Sequence, residues 1–137
     1  MASRTYIKVY HHLVWSVKDR EPLIALHFRE NLYKFIGRIM VKNGWHLLAI
    51  GGTEDHLHIF FHVQKVHNIS DIVGCIKANS SQFVHCNYTK KFSWQSGYGW
   101  FSCTNITVDD LKRYILNQEN HHKKQSLDNE LAFFSDN

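Results

Sequence analysis

From Tyr6 to Val17 apolar and polar positions partly alternate, in a run rich in β-branched and aromatic residues. Successive strand side chains point to opposite faces, so the run predicts a first strand. Asp19 to Pro22 breaks it, and Pro22 suits the first turn of a helix, where its missing N–H does no harm. Leu23, Leu26, Tyr33, Ile36, Ile39 and Met40 then recur at helical steps, predicting a helix over about 22–43 that Asn43-Gly44 closes. Trp45 to Ile50 and His56 to Val63 read as two strands. The short Gly51–Asp55 turn between them makes an antiparallel hairpin.

Asn68, Ser70 and Asp71 open a second helix, with Ile69, Ile72, Val73, Ile76, Phe83 and Val84 as its apolar stripe. The Gly- and ring-rich stretch Phe92–Cys103 holds a fourth strand in its latter half. Thr107 is a good N-cap for a third helix over about 108–123, with Asp109 and Asp110 in its positive first turn. The tail ends in Leu131, Phe133 and Phe134, which need cover. The order β-α-β-β-α-β-α predicts an α+β fold, a mainly antiparallel sheet with helices on one face.

Composition narrows the class. The chain has 137 residues, 44% hydrophobic and 20% charged, which suits one globular domain over 1–137. No run of 18 apolar residues predicts a membrane span, and the first residues do not form a secretory signal. Cys75, Cys86 and Cys103 are odd in number and contain no CxxC pair, which predicts reduced thiols in a cytoplasm. The net charge is +4 and 14% of residues are aromatic. Positive charge with rings suits single-stranded nucleic acid, although a small aromatic core accounts for the rings as well.

Three groups of residues can carry chemistry. His56 and His58 are i and i+2 on a strand, so both imidazoles share a face while Leu57 enters the core. That is half of a metal site, or simply two histidines on a sheet. His62 shares the face but lies roughly 13 Å beyond His58, too far to join them. Tyr114 and Gln118 are four apart on a predicted helix and stack on one side. The Gln oxygen offers a third ligand and places the phenol one turn from the metal. With a metal polarising the phosphate, a phenol can attack a phosphodiester. Lys77, Asn79, Ser80, Lys90, Lys91, Trp94 and Tyr98 suit phosphates and unstacked bases. They equally suit a solvated helix face followed by core aromatics. Asp55 can orient a histidine or simply end a turn. Phosphate-loop, GxGxxG, GxSxG and HExxH templates are absent.

His56–His58 after Gly51–Asp55, Ile76–Ser81, Trp94–Gly99 and Tyr114–His122 occur in a telling order, with Leu13–Ser16 and Arg20–Ile24 before them. Together they resemble the single-tyrosine HUH transposases of the insertion-sequence 200/605 family, from about residue 5 to 131. The resemblance implies a ferredoxin- or RRM-like HUH fold and a DNA transposase. It implies nicking and rejoining of single-stranded DNA through a 5′-phosphotyrosine, with recognition of DNA hairpins. Matched residue by residue, His56, His58 and Gln118 would hold Mg²⁺ or Mn²⁺, and Tyr114 would be the nucleophile. It also implies a homodimer whose sheets join, in which the tyrosine helix of one subunit can complete the site of the other. Trp100 and Cys103 depart from the plainer apolar residues expected near Tyr98-Gly99, through packing or through a changed DNA groove. Two rival readings remain: a domesticated DNA or RNA hairpin binder without catalysis, and a metal-dependent hydrolase of a small phosphoester.

Overall fold

The sheet is built from β1 (Tyr10–Ser16), β2 (His46–Gly52), β3 (His56–His62) and β4 (Gly99–Cys103), and the helices are α1 (Leu26–Lys42), α2 (Ile69–Asn87) and α3 (Val108–Leu116). A computed structural model describes residues 9–63, 68–103 and 108–118. The strands lie in the order β2-β3-β1-β4, and every pairing is antiparallel. The predicted class and element order hold.

Alternation along β1 and β3 decides what each face of the sheet carries. Leu13, Trp15, Leu57, Ile59 and Phe61 point to one side and form a single core with Phe28, Leu32, Ile36 and Met40 of α1 and Ile69, Ile72, Val73, Ile76 and Val84 of α2. The rings of Phe35 and Phe83 stack at 4.2 Å between the two helices. The opposite face presents Tyr10, His12, Val14 and Ser16 from β1 and His56, His58 and Phe60 from β3, and all of these are buried. Helix α3 covers that second face, with Leu111 and Ile115 packed on Tyr10, Ala49 and Phe60. The two long helices thus share one face as expected, and the short α3 takes the other.

Helix α1 starts four residues later than the Pro22 signal predicts. Ile24 is fully buried and its N–H donates to the Glu54 carbonyl at 2.9 Å, so the segment before the helix is extended and tied to the β2–β3 turn. The Arg29 guanidinium donates to the Ile24 carbonyl at 2.9 Å and fastens the same segment. Leu26, counted in the predicted stripe, is 76% exposed; the stripe that packs is Phe28, Leu32, Ile36 and Met40. At the other end Gly44 has φ +76° and the Trp45 N–H returns to the Met40 carbonyl, so Asn43-Gly44 does close the helix. The Asn68 side chain caps α2 by accepting from the Ser70 N–H at 2.9 Å. Thr107, the predicted helical residues 119–123 and the apolar tail lie outside the described residues.

One glycine lets α3 come close. A Cβ on Gly51 would run into the carbonyl oxygen of Ile115, so only a residue without a side chain allows the helix to lie directly on β2.

Candidate active site

β3 begins at the turn that ends in Asp55, so its first residue, His56, is held by turn groups. His56 Nδ1 donates to Asp55 Oδ1 at 2.8 Å and lies 2.8 Å from Thr53 Oγ1, while that hydroxyl donates to Asp55 at 3.2 Å. The hydrogen bond from His56 holds the Asp55 carboxyl below its ordinary range, against burial and with help from Arg20 and Thr53. Asp55 is therefore both a turn residue and the partner that orients His56. With Nδ1 carrying the proton, His56 Nε2 presents a lone pair.

That lone pair faces an oxygen. Gln118, just past the end of α3, is buried, and its Oε1 lies 3.1 Å from His56 Nε2. The Gln118 amide donates to the Tyr114 carbonyl at 3.3 Å, which fixes which end of the amide meets the histidine. Two acceptors face each other across this gap. A cation between them, or a second proton on the ring, turns that repulsion into attraction.

His58 is one pleat farther along β3, on the same face. Its ring centre is 5.0 Å from that of His56, and the planes are nearly perpendicular. Tyr114 of α3 stands over it, with ring centres 5.8 Å apart and planes at 90°. His58 Nδ1 meets His12 Nε2 of β1 at 2.8 Å. His12 is buried among these rings, and burial pushes its pKa down to about 3, so it is neutral at pH 7. The helix thus brings Tyr114 and Gln118 of the same chain onto His56 and His58, the four residues that the spacing pairs.

The donor set fits a divalent ion. His56 Nε2 and the Gln118 carboxamide oxygen face each other with the His58 imidazole beside them, and none of the three is a carboxylate. Among the described residues no group of three or more His, Cys, Asp and Glu side chains could hold a metal, so this mixed set carries the reading. Neutral ligands leave the charge of the ion largely undiminished for a phosphate. Imidazoles suit Mn²⁺ better than Mg²⁺.

The family model described as "Transposase IS200 like" matches residues 5–118. The chain belongs to the IS200-like transposase family. It is similar to the ISDra2 transposase TnpA of Deinococcus radiodurans, 22% identical over 130 residues that cover 89% of this chain and 91% of that one. Its fold is similar to the crystal structure of a transposase candidate from the same organism, with TM-score 0.67 and 23% identity over 86% of this chain and 97% of the other. A REP-associated tyrosine transposase bound to a REP hairpin is also similar, with TM-score 0.63 and 17% identity over 89% of this chain and 74% of the other.

In this IS200-like transposase the nucleic-acid candidates divide into two groups. Lys77 Nζ donates to the Gln95 and Gly97 carbonyls at 2.8 and 2.7 Å and stands 5.5 Å from the centre of the Trp15 ring. Its half-burial lowers its pKa from the ordinary lysine value. Ser80 is fully buried; its hydroxyl donates to the Ile76 carbonyl and accepts from Trp94 Nε1 at 2.9 Å. Ser80, Lys77 and the Trp94 indole therefore fasten the segment 94–97. By contrast Asn79, Lys90, Lys91 and Tyr98 are exposed.

Gln95, which the motif reading did not single out, ties that segment to the site. It exchanges backbone and side-chain bonds with Ser16, and Ser16 is paired opposite His56. Trp100 is half exposed on the edge strand β4, and its indole donates to His11 Nδ1 at 3.0 Å. Among the described residues no helix is long and apolar enough to cross a membrane.

Proposed function

We propose that this transposase nicks and rejoins single-stranded DNA beside hairpins. Tyr114 is the nucleophile, and His56, His58 and Gln118 hold a divalent cation, Mg²⁺ or Mn²⁺. The observation that carries the reading is the placement of α3, which sets the Tyr114 ring 5.8 Å from that of His58 and the Gln118 oxygen 3.1 Å from His56 Nε2. When bound, the cation supplies positive charge to the oxygens of the scissile phosphate.

Tyr114 Oη attacks phosphorus, and the O–P bond forms as the bond to the 3′ oxygen breaks. The phenol proton leaves to solvent, and the 3′ oxygen takes a proton to end as a hydroxyl. The downstream segment keeps its 5′ phosphate, now linked to the tyrosine, so a later attack by a 3′ hydroxyl restores the phosphodiester without ATP. Asp55 and Thr53 hold the His56 ring throughout. The exposed Lys90 and Lys91 suit the DNA backbone, and Tyr98 suits an unstacked base. Asn79 is exposed on α2, its amide nitrogen donating to the Cys75 carbonyl at 2.8 Å and its oxygen suiting a donor group of the DNA. A relative bound to a REP hairpin supports the choice of hairpin DNA as the substrate. A homodimer joined at a sheet edge fits β4, the outermost strand on its side of the sheet among the described residues.

The test is a denaturing gel of the protein with labelled hairpin-bearing single strands from the flanks of its own gene, with Mn²⁺ or with EDTA. The reading expects a metal-dependent band at the mass of protein plus DNA, absent in Tyr114→Phe. Tight hairpin binding with no such band would instead support a binder without catalysis. Free cleaved product with no adduct would support a hydrolase.

A further inference from the structure

We propose that His12 is a positioning residue that selects the His58 tautomer able to hold a metal. The inference rests on the reading of His56, His58 and Gln118 as ligands. His12 Nε2 and His58 Nδ1 are 2.8 Å apart, so one nitrogen donates and the other accepts. If His58 donates, its proton sits on Nδ1 and its Nε2 offers a lone pair to a cation. If His12 donates, the proton of His58 moves to Nε2 and blocks that ligand.

The surroundings favour the first arrangement. His56 is held the same way, with Nδ1 on Asp55 and Nε2 turned to the site. Each imidazole then has an acceptor behind it: the Asp55 carboxylate, beside the Thr53 hydroxyl, for His56 and a neutral imidazole for His58. A carboxylate at position 12 would bury a second negative charge beside the Phe60 and Phe101 rings, which an imidazole acceptor avoids. His12 is 1% exposed and Phe101 lies 5.8 Å from it, ring centre to ring centre, so water does not readily replace it as the acceptor.

The experiment measures Mn²⁺ affinity of the full chain without DNA, by paramagnetic resonance of free Mn²⁺. His12→Phe keeps a flat ring and loses the acceptor; His12→Gln keeps an acceptor oxygen. The proposal expects a loss of about 10–100-fold in affinity for His12→Phe, largely restored in His12→Gln, with His58→Ala losing binding altogether. Affinity in His12→Phe within about threefold of the native protein, while His58→Ala fails, would overturn His12 alone and keep the metal reading. No Mn²⁺ binding by the native protein would overturn the metal reading and this inference with it. Should His12→Phe fail to fold, the native protein still decides. Long-range proton–nitrogen NMR of its imidazoles is expected to find the His58 proton on Nδ1, and a proton on Nε2 overturns the proposal.

Discussion

Gln118 Oε1 faces His56 Nε2 at 3.1 Å, and each atom is an acceptor when the ring carries its one proton on Nδ1, toward Asp55. A divalent ion held there, as the proposed function requires, would relieve that opposition and bind the folded state alone. At an Mn²⁺ concentration about 100 times the dissociation constant the gain is roughly 2.7 kcal/mol. For a chain of this size that corresponds to a rise in Tm on the order of 10 °C. Calorimetry with Mn²⁺ against EDTA measures it. The rise is expected to vanish in His58→Ala, and a native protein with no rise would contradict the metal assignment.

The placement of α3 depends on Gly51. A Cβ there meets the Ile115 carbonyl, so Gly51→Ala has to push the helix off β2. Overpacking of this kind costs roughly 1–3 kcal/mol. Because Tyr114 and Gln118 move with the helix, strand cleavage is expected to fall by more than the lost stability explains, in a gel assay run well below Tm.

On the proposed function, the lysines divide between structure and DNA contact. Lys77→Ala strands the Gln95 and Gly97 carbonyls and is expected to lower Tm, with little change in the salt dependence of hairpin binding. Lys90→Ala and Lys91→Ala are expected to leave Tm in place. Each reduces the slope of log affinity against log salt by about 0.7 to 1. Salt titrations of the three variants separate the roles.

Acid acts through His12. Its folded pKa of about 3 lies below its ordinary value of 6.5, so the unfolded chain takes up the proton first as pH falls. Stability is fully present above pH 6.5 and is lost toward pH 3, at roughly 1.4 kcal/mol per unit. His11, lowered by burial and by His62, adds in the same direction, and Asp55 adds only at the acid end. Urea midpoints between pH 7 and 4.5 are expected to fall in the native protein and to flatten in His12→Gln.

What the sequence made legible was local. A two-residue step on a strand puts His56 and His58 on one face, and a four-residue step on a helix stacks Tyr114 and Gln118. Which face of the sheet α3 covers depends on contacts with β2 and β3, and no periodicity within α3 encodes that. His12 escaped for the same reason. It meets His58 across 46 residues of chain, through a strand register that alternation does not set. The signal available was its place beside Tyr10, Val14 and Ser16 on one side of β1. Lys77 and Ser80 looked like phosphate contacts because composition does not reveal that backbone carbonyls and an indole already occupy them. Pro22 marks the approach to α1 and not its first turn, because the Ile24 backbone is taken up by Glu54.

The proposed chemistry turns on a covalent bond between Tyr114 and DNA. Trypsin cuts after Arg113 and next at Lys123, so Tyr114 falls in a peptide with no other tyrosine. The protein is incubated with Mn²⁺ and a hairpin-bearing strand, then digested with nuclease and trypsin, and the peptide is weighed by mass spectrometry. A 5′-linked nucleotide is expected on Tyr114 and is expected to be lost with EDTA. A nucleotide on another residue, or none while cleavage proceeds, would contradict it.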